Sequence, residues 1–212
     1  MLGLGGGWDA REFEQMGMVL PPPRERLEVL EEIIRILTGV WGDAPFTFEG
    51  KHLRVTEARV QPGPVQTPRV PLLIGGGGER STLRLVARYA DASNIEGHGA
   101  TGAQSAKDLV HKYDVLRTHC AAVGRPYASV LRSYFRTPVI VAETSAAVDA
   151  QREALPEALR AFPGMIAGTP SEVIAALSEF VQAGVRYFIL VLADAESAQL
   201  LAERVVPEVQ SV

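Results

Sequence analysis

The chain has 212 residues, 47% of them apolar and 22% charged, which is ordinary for a globular protein and enough for one domain with a sizeable core. Its net charge of −4 excludes a basic footprint for nucleic acid and a polybasic patch for a membrane surface. The single cysteine, Cys120, excludes an intrachain disulfide and fits a reducing cytoplasm.

The N-terminal MLGLGGGW has no basic region before an apolar run and does not read as a signal peptide. No stretch reaches the roughly 18 apolar residues needed to cross a bilayer. Residues 1–5 instead read as a short strand that breaks into Gly5-Gly6-Gly7. After Pro21-Pro22-Pro23 a helix is expected, because proline is tolerated in a first turn. Leu27, Leu30, Ile34, Leu37 and Trp41 give it one apolar face, opposite Glu28, Glu31, Glu32 and Arg35.

Residues 42–70 are rich in glycine and proline and read as an irregular insertion holding a small hairpin. Val70–Ile74 then reads as a buried strand ending in Gly75-Gly76-Gly77-Gly78. A helix over about 81–89 and a strand over 92–95 follow. The next helix carries Leu109, Tyr113, Leu116, Cys120 and Val123 at spacings of four and three, and Gly124 stops it. Val139–Ala142 reads as a strand whose N-terminal reach Pro138 limits. Thr144 or Ser145 caps a helix that Pro156 should kink. Thr169-Pro170-Ser171-Glu172 has the pattern of a capping box with proline at the first helical position, and Gly184 ends that helix. Tyr187–Leu192 is the last strand, and a final helix runs from about Glu196 toward Pro207.

Strand and helix alternate, and the strands are apolar runs instead of strict alternations. That pattern predicts about five parallel strands covered by helices. In such a fold the loops after strands sit at the ligand-binding end of the sheet. Two of those loops are glycine-rich, and successive amides in such a loop can cradle an anion. Gly75-Gly76-Gly77-Gly78-Glu79-Arg80 lacks both the third glycine of G-x-G-x-x-G and the Lys-Ser/Thr of a P-loop. Plain tight turns therefore remain an alternative for both loops.

The run Gly3-Leu4-Gly5-Gly6-Gly7-Trp8, with Glu12, Gly17, Pro22-Pro23 and Arg26, resembles the fourth-strand region of luciferase-like monooxygenases. Phe48-Glu49-Gly50-Lys51-His52 resembles their "F-x-G" insertion. The segment from Pro64-Val65-Gln66 through Leu73-Ile74-Gly75-Gly76-Gly77-Gly78 to Arg84, Ala87, Arg88, Tyr89, Ala90 and Asp91 is similar to an F420-dependent subgroup. The resemblance covers essentially all of 1–212, read as one domain with its insertion at about 42–70. It implies an incomplete TIM-type (β/α)8 barrel, since such a barrel has eight strands in about 250 residues and this chain begins at the equivalent of the fourth.

The resemblance further implies an oxidoreductase that moves hydride between coenzyme F420, or alternatively FMN, and a small-molecule substrate. It implies a homo-oligomer as well. Cofactor contacts map to Gly5, Gly7, Trp8 and Asp9, where many members have asparagine in place of Asp9, and to Gly75, Gly76, Gly77 and Gly78 for the phosphate. No catalytic residue is assigned. A catalytically silent remnant serving as a structural or interaction module is the second reading. A nucleotide-binding domain of the methyltransferase type is a weaker third, for want of a well-placed ribose-binding acid.

Single residues carry little by themselves. Glu96 and His98 follow a strand and could face a pocket, although a surface loop is the simpler expectation. His111 and His119 fall off the apolar face of their helix and are expected in solvent. Arg80 could pair with a phosphate, and His52 belongs to the insertion. The four histidines have no metal-ligand spacing.

Overall fold

Residues 1–210 are described by the computed structural model. In chain order the elements are β1 (Leu2–Leu4), α1 (Ala10–Gln15), α2 (Pro23–Val40), β2 (Phe46–Glu49), β3 (Arg54–Ala58), β4 (Leu72–Gly75), α3 (Thr82–Tyr89), β5 (Ala92–Glu96) and α4 (Ala106–Ala122). Then come β6 (Leu131–Val141), α5 (Ser145–Ala154), α6 (Glu157–Arg160), β7 (Ile166–Gly168), α7 (Pro170–Gln182), β8 (Tyr187–Leu192), α8 (Ala195–Leu200) and α9 (Val206–Gln210).

The main sheet is parallel throughout, and the path β1-β4-β5-β6-β8 holds the five strands expected from the sequence. It curls into a half-barrel of the TIM type, with helices on its convex side. Leu72 and Ile74 of β4, Ile95 of β5 and Tyr134 of β6 point into the core beneath those helices, together with Leu83, Val86, Leu109 and Leu116. Asp91 sets the start of β4: its carboxylate accepts the Leu72 amide at 2.7 Å and Arg69 at 2.6 Å. That clamp ends the proline-rich approach to the strand.

Several expectations need correction. β7 was not foreseen, and it makes a sixth strand beside the far half of β6. β6 itself runs for 11 residues, straight through Pro138. Its ladder with β8 passes from Arg136↔Leu190 to Val139↔Leu192, so a bulge falls at the proline. The missing proline N–H therefore falls where the ladder has no rung. The bulge also swaps which residues face which neighbour. Arg132 accepts from the β8 side before it, and Val139 does so after it.

The helix after Thr144 stops at Ala154, and Pro156 starts α6 instead of kinking one helix. The final helix is interrupted by a π-helical turn, Leu201–Val205. A short helix, α1, lies between the first glycine loop and Pro21, where no element was expected. Val123 is 42% exposed, off the face assigned to it. The insertion does hold the expected hairpin, β2 with β3. Among the described residues, no helix is long and apolar enough to cross a membrane.

Candidate functional site

The concave side of the sheet follows from strand alternation. Leu2 and Leu4 pack against the core, so Gly3 and Gly5 face the other way. A Cβ on Gly3 would meet the Leu73 side chain at 3.9 Å, and one on Gly5 would meet the Gly75 carbonyl at 3.8 Å. Gly5 and Gly75 thus leave the carboxyl ends of β1 and β4 free of side chains, and the Leu73 side chain flanks this strip beside Gly3. Asn94 and Ser133, paired in register, lie on the same side. The Ser133 hydroxyl donates to the Ser93 carbonyl at 2.8 Å and sits 3.0 Å from Asn94 Oδ1.

The first glycine loop is held from two sides. Arg26 Nη1 on α2 donates to the Gly7 carbonyl at 2.9 Å. Asp9 caps α1, accepting the Arg11 amide at 2.9 Å and pairing with its guanidinium at 3.1 Å. The Arg11 contacts hold the Asp9 carboxyl below the usual carboxylate range. The departure from asparagine therefore has a local role, since a carboxylate serves well at an N-cap. Trp8, beside it, is 80% exposed.

The second loop is tied back carbonyl by carbonyl. Lys112 Nζ donates to the Gly77 carbonyl at 2.9 Å, the Leu83 amide to the Gly78 carbonyl at 3.0 Å, and His119 Nε2 to the Glu79 carbonyl at 2.8 Å. A carbonyl only accepts, so His119 carries its proton on Nε2. In a trans peptide the C=O and the next N–H point in opposite directions. The amides of Gly78, Glu79 and Arg80 are therefore turned away from α3 and α4. Together with the Gly77 amide, they bind no protein acceptor among the described residues. Only glycine fits at Gly77, where a Cβ would lie 2.0 Å from the Thr101 carbonyl oxygen.

The structure thus brings Gly5, Gly7, Gly75, Gly76, Gly77 and Gly78 to one end of the sheet, with Trp8 and Asp9 at its rim. Glu96 and His98 meet at the end of β5, Glu96 Oε2 lying 3.4 Å from His98 Nε2. The His98 ring packs on Phe162, with centroids 4.6 Å apart, so it is not a free surface side chain. Arg80 is exposed.

His119 corrects the expectation of solvent exposure, whereas His111 remains mostly exposed while reaching Glu79 at 3.3 Å. Lys112 was missed altogether. It is only 7% exposed, and its position three residues after Leu109 and four before Leu116 placed it on the apolar stripe. A charge on such a stripe was the available signal. Cys120 is buried, which pushes its thiol pKa up, as suits an unreactive core residue. No metal-binding group of His, Cys, Asp or Glu occurs among the described residues.

Known proteins share this frame. An FMNH2-dependent dimethylsulfone monooxygenase from Pseudomonas putida is 28% identical over 118 residues, covering 56% of this chain and 32% of that protein. An F420-dependent glucose-6-phosphate dehydrogenase from Nakamurella multipartita is 33% identical over 91 residues, covering 43% of this chain and 26% of that protein. The matches span about a third or less of those relatives' length.

Among solved structures, an F420-dependent secondary alcohol dehydrogenase bound to an F420-acetone adduct superposes with a TM-score of 0.78 at 18% identity. It matches 98% of this chain and 69% of its own. At that identity the likeness establishes the fold alone. The model of the luciferase-like monooxygenases matches residues 1–165, and with the half-barrel and its two glycine loops this places the chain in the luciferase-like monooxygenase family.

Proposed function

We propose that this chain binds F420 or FMN across the carboxyl ends of β1 and β4, and takes part in hydride transfer between that cofactor and a small organic substrate. The observation that carries the reading is the run of amides, Gly77 to Arg80, that bind no protein acceptor among the described residues, beside the strip that Gly5 and Gly75 leave free of side chains. Successive free amides at the end of a strand suit a phosphate, and a glycine strip suits a flat ring.

In this arrangement the amides of Gly78, Glu79 and Arg80 take the phosphate, with Gly75 and Gly76 lining its approach. Gly5 and Gly7 leave room for the ring system, and Trp8 flanks it. Asp9 fixes that loop through the cap on α1. The bound cofactor supplies the redox chemistry, and the chain supplies binding and orientation. Relatives named for F420 and for FMNH2 both support the reading, and the cofactor is left as either of the two.

Fluorescence titration of the chain with F420 and with FMN tests the reading. Saturable binding at or below tens of micromolar, on the order of −6 to −7 kcal/mol, is expected for at least one of them. Gly77→Ala should abolish that binding, because its Cβ displaces the loop from the Thr101 carbonyl. Binding of neither cofactor sinks the proposal. It would favour the second reading, a structural or interaction module, for which the exposed concave side of β8 speaks: Tyr187 is 52% and Val191 49% exposed.

A further inference from the structure

Lys112 is a buried cation on α4 whose hydrogen bonds both go to the second glycine loop. Its ammonium, on a side chain only 9% exposed, binds the Gly77 carbonyl at 2.9 Å and Glu79 Oε1 at 3.3 Å. Both oxygens belong to the loop that carries the free amides. Both are also groups that an anion would avoid. Lys112 thus draws two negative ends of the loop toward α4. Turning the Gly77 carbonyl inward turns the Gly78 amide outward, since the peptide plane links them. Lys112 and His111 also hold the Glu79 carboxyl below the usual carboxylate range, so it stays charged near neutrality. Released from Lys112, that negative charge could swing toward a neighbouring phosphate. His119 makes the matching contact one peptide further on, at the Glu79 carbonyl.

We propose that Lys112 is a positioning residue for the phosphate end of the cofactor. It holds the Gly77 carbonyl and the Glu79 carboxylate away from the anion, so that the Gly78, Glu79 and Arg80 amides can meet it. The proposal rests on the cofactor reading above. Lys112 touches the loop and not the cofactor, so its effect is on affinity for the phosphate alone. The ring, lying over the glycine strip, is insensitive to it.

The test compares FMN with riboflavin, which has the same ring and no phosphate, by fluorescence titration of the wild-type chain and its variants. F420 and its deazariboflavin core, which lacks the phosphate and the tail beyond it, form the corresponding pair for the deazaflavin. The wild type should bind the phosphorylated member at least about tenfold more tightly, the effect of one well-formed set of charge-assisted hydrogen bonds. Lys112→Met should lower that ratio by about tenfold while leaving affinity for the phosphate-free member unchanged. Lys112→Arg should retain the ratio.

Adding Glu79→Gln to Lys112→Met should recover part of the loss. Glu79→Gln alone, which does not depend on the folding of a lysine variant, should raise the ratio above wild type. An unchanged ratio in Lys112→Met, or equal losses for both members of the pair, makes Lys112 a structural residue and overturns the proposal. So does a ratio in Glu79→Gln at or below that of the wild type. A wild-type chain that binds neither member of either pair overturns the cofactor reading itself, and this proposal with it. Binding of the phosphorylated and phosphate-free members with equal affinity leaves the ring site standing and rejects the phosphate site.

Discussion

The Glu32 carboxylate accepts three consecutive backbone amides, those of Lys51, His52 and Leu53, at 2.7, 3.0 and 2.8 Å. It reaches them because residue 50 is glycine: a Cβ there would lie 2.4 Å from Glu32 Oε2. The "F-x-G" run thus has a physical role, which is to admit a carboxylate from α2 to the turn between β2 and β3. Glu32→Ala leaves those amides without acceptors and should destabilise the chain by about 3 kcal/mol in urea unfolding. Gly50→Ala should cost a comparable amount, with amide exchange accelerated first in residues 51–53.

Next to it, Glu28 meets Lys51, His52 and Arg24, and these contacts lower its pKa to about 2 from 4.5. A carboxyl whose folded value is depressed contributes stability above its unfolded value and loses it as pH falls through the folded one. The hairpin should therefore loosen between about pH 4.5 and pH 2, seen as faster exchange at the turn, and Glu28→Gln should reduce that dependence, with Glu32 on the same turn retaining the rest. None of this was legible in the sequence. The partners of Glu32 lie 19, 20 and 21 residues away, and its place among Glu28, Glu31 and Arg35 marked it as a solvated face. Lys112 is hidden for the opposite reason: helical spacing places it between Leu109 and Leu116 on the apolar stripe, and its partners on the second glycine loop are remote in the sequence.

Elements with local signals were read well. α7 begins at Pro170, and the Glu172 carboxylate accepts from both the amide and the hydroxyl of Thr169, at 2.7 and 2.8 Å. The strand–glycine–helix sequence from β4 to α3 needed only apolar runs and breakers. β6 and β7 failed because their pairing is non-local. Pro138 is a sound reason to end a strand unless the partner's ladder skips that residue, as it does here. β7 has three residues, too few for any periodicity to appear.

Beyond the bulge, pairing with β8 ends at Val139↔Leu192, and Ser197 of α8 continues it. Its hydroxyl accepts the Val141 amide at 3.0 Å and contacts the Val141 carbonyl at 3.3 Å, fully buried. A side chain thus replaces a strand at the end of the sheet. Ser197→Ala should cost about 2 kcal/mol in chemical denaturation, since it orphans a buried N–H. A cost below about 0.5 kcal/mol, typical of a surface change, would contradict this account of the strand end.

At the scale of the whole molecule the sheet is a half-barrel whose concave face is open. Among the described residues, the outer edges of β1 and β8 pair with no strand. Unpaired parallel edges beside exposed apolar side chains such as Tyr187 and Val191 favour association with another chain or segment. The 212-residue chain should therefore self-associate in sedimentation velocity, and Val191→Lys should shift it toward monomer. A monodisperse wild-type monomer that melts cooperatively would count against this. The half-barrel character, and with it an open face and unpaired edges, was legible in the resemblance, whereas which side chains line that face follows from the pairing of the strands.

The cofactor reading unites the three scales, because it needs the Lys112 and His119 contacts, the strand ends that carry the glycine loops, and the open end of the sheet. It is tested most directly by amide chemical-shift mapping of the 15N-labelled chain titrated with FMN, repeated with F420. The account predicts saturable shifts in the Gly77, Gly78, Glu79 and Arg80 amides, together with Gly5 and Gly7, for at least one of the two. Shifts confined to other surfaces, or none in the Gly77–Arg80 amides with either cofactor, would contradict it.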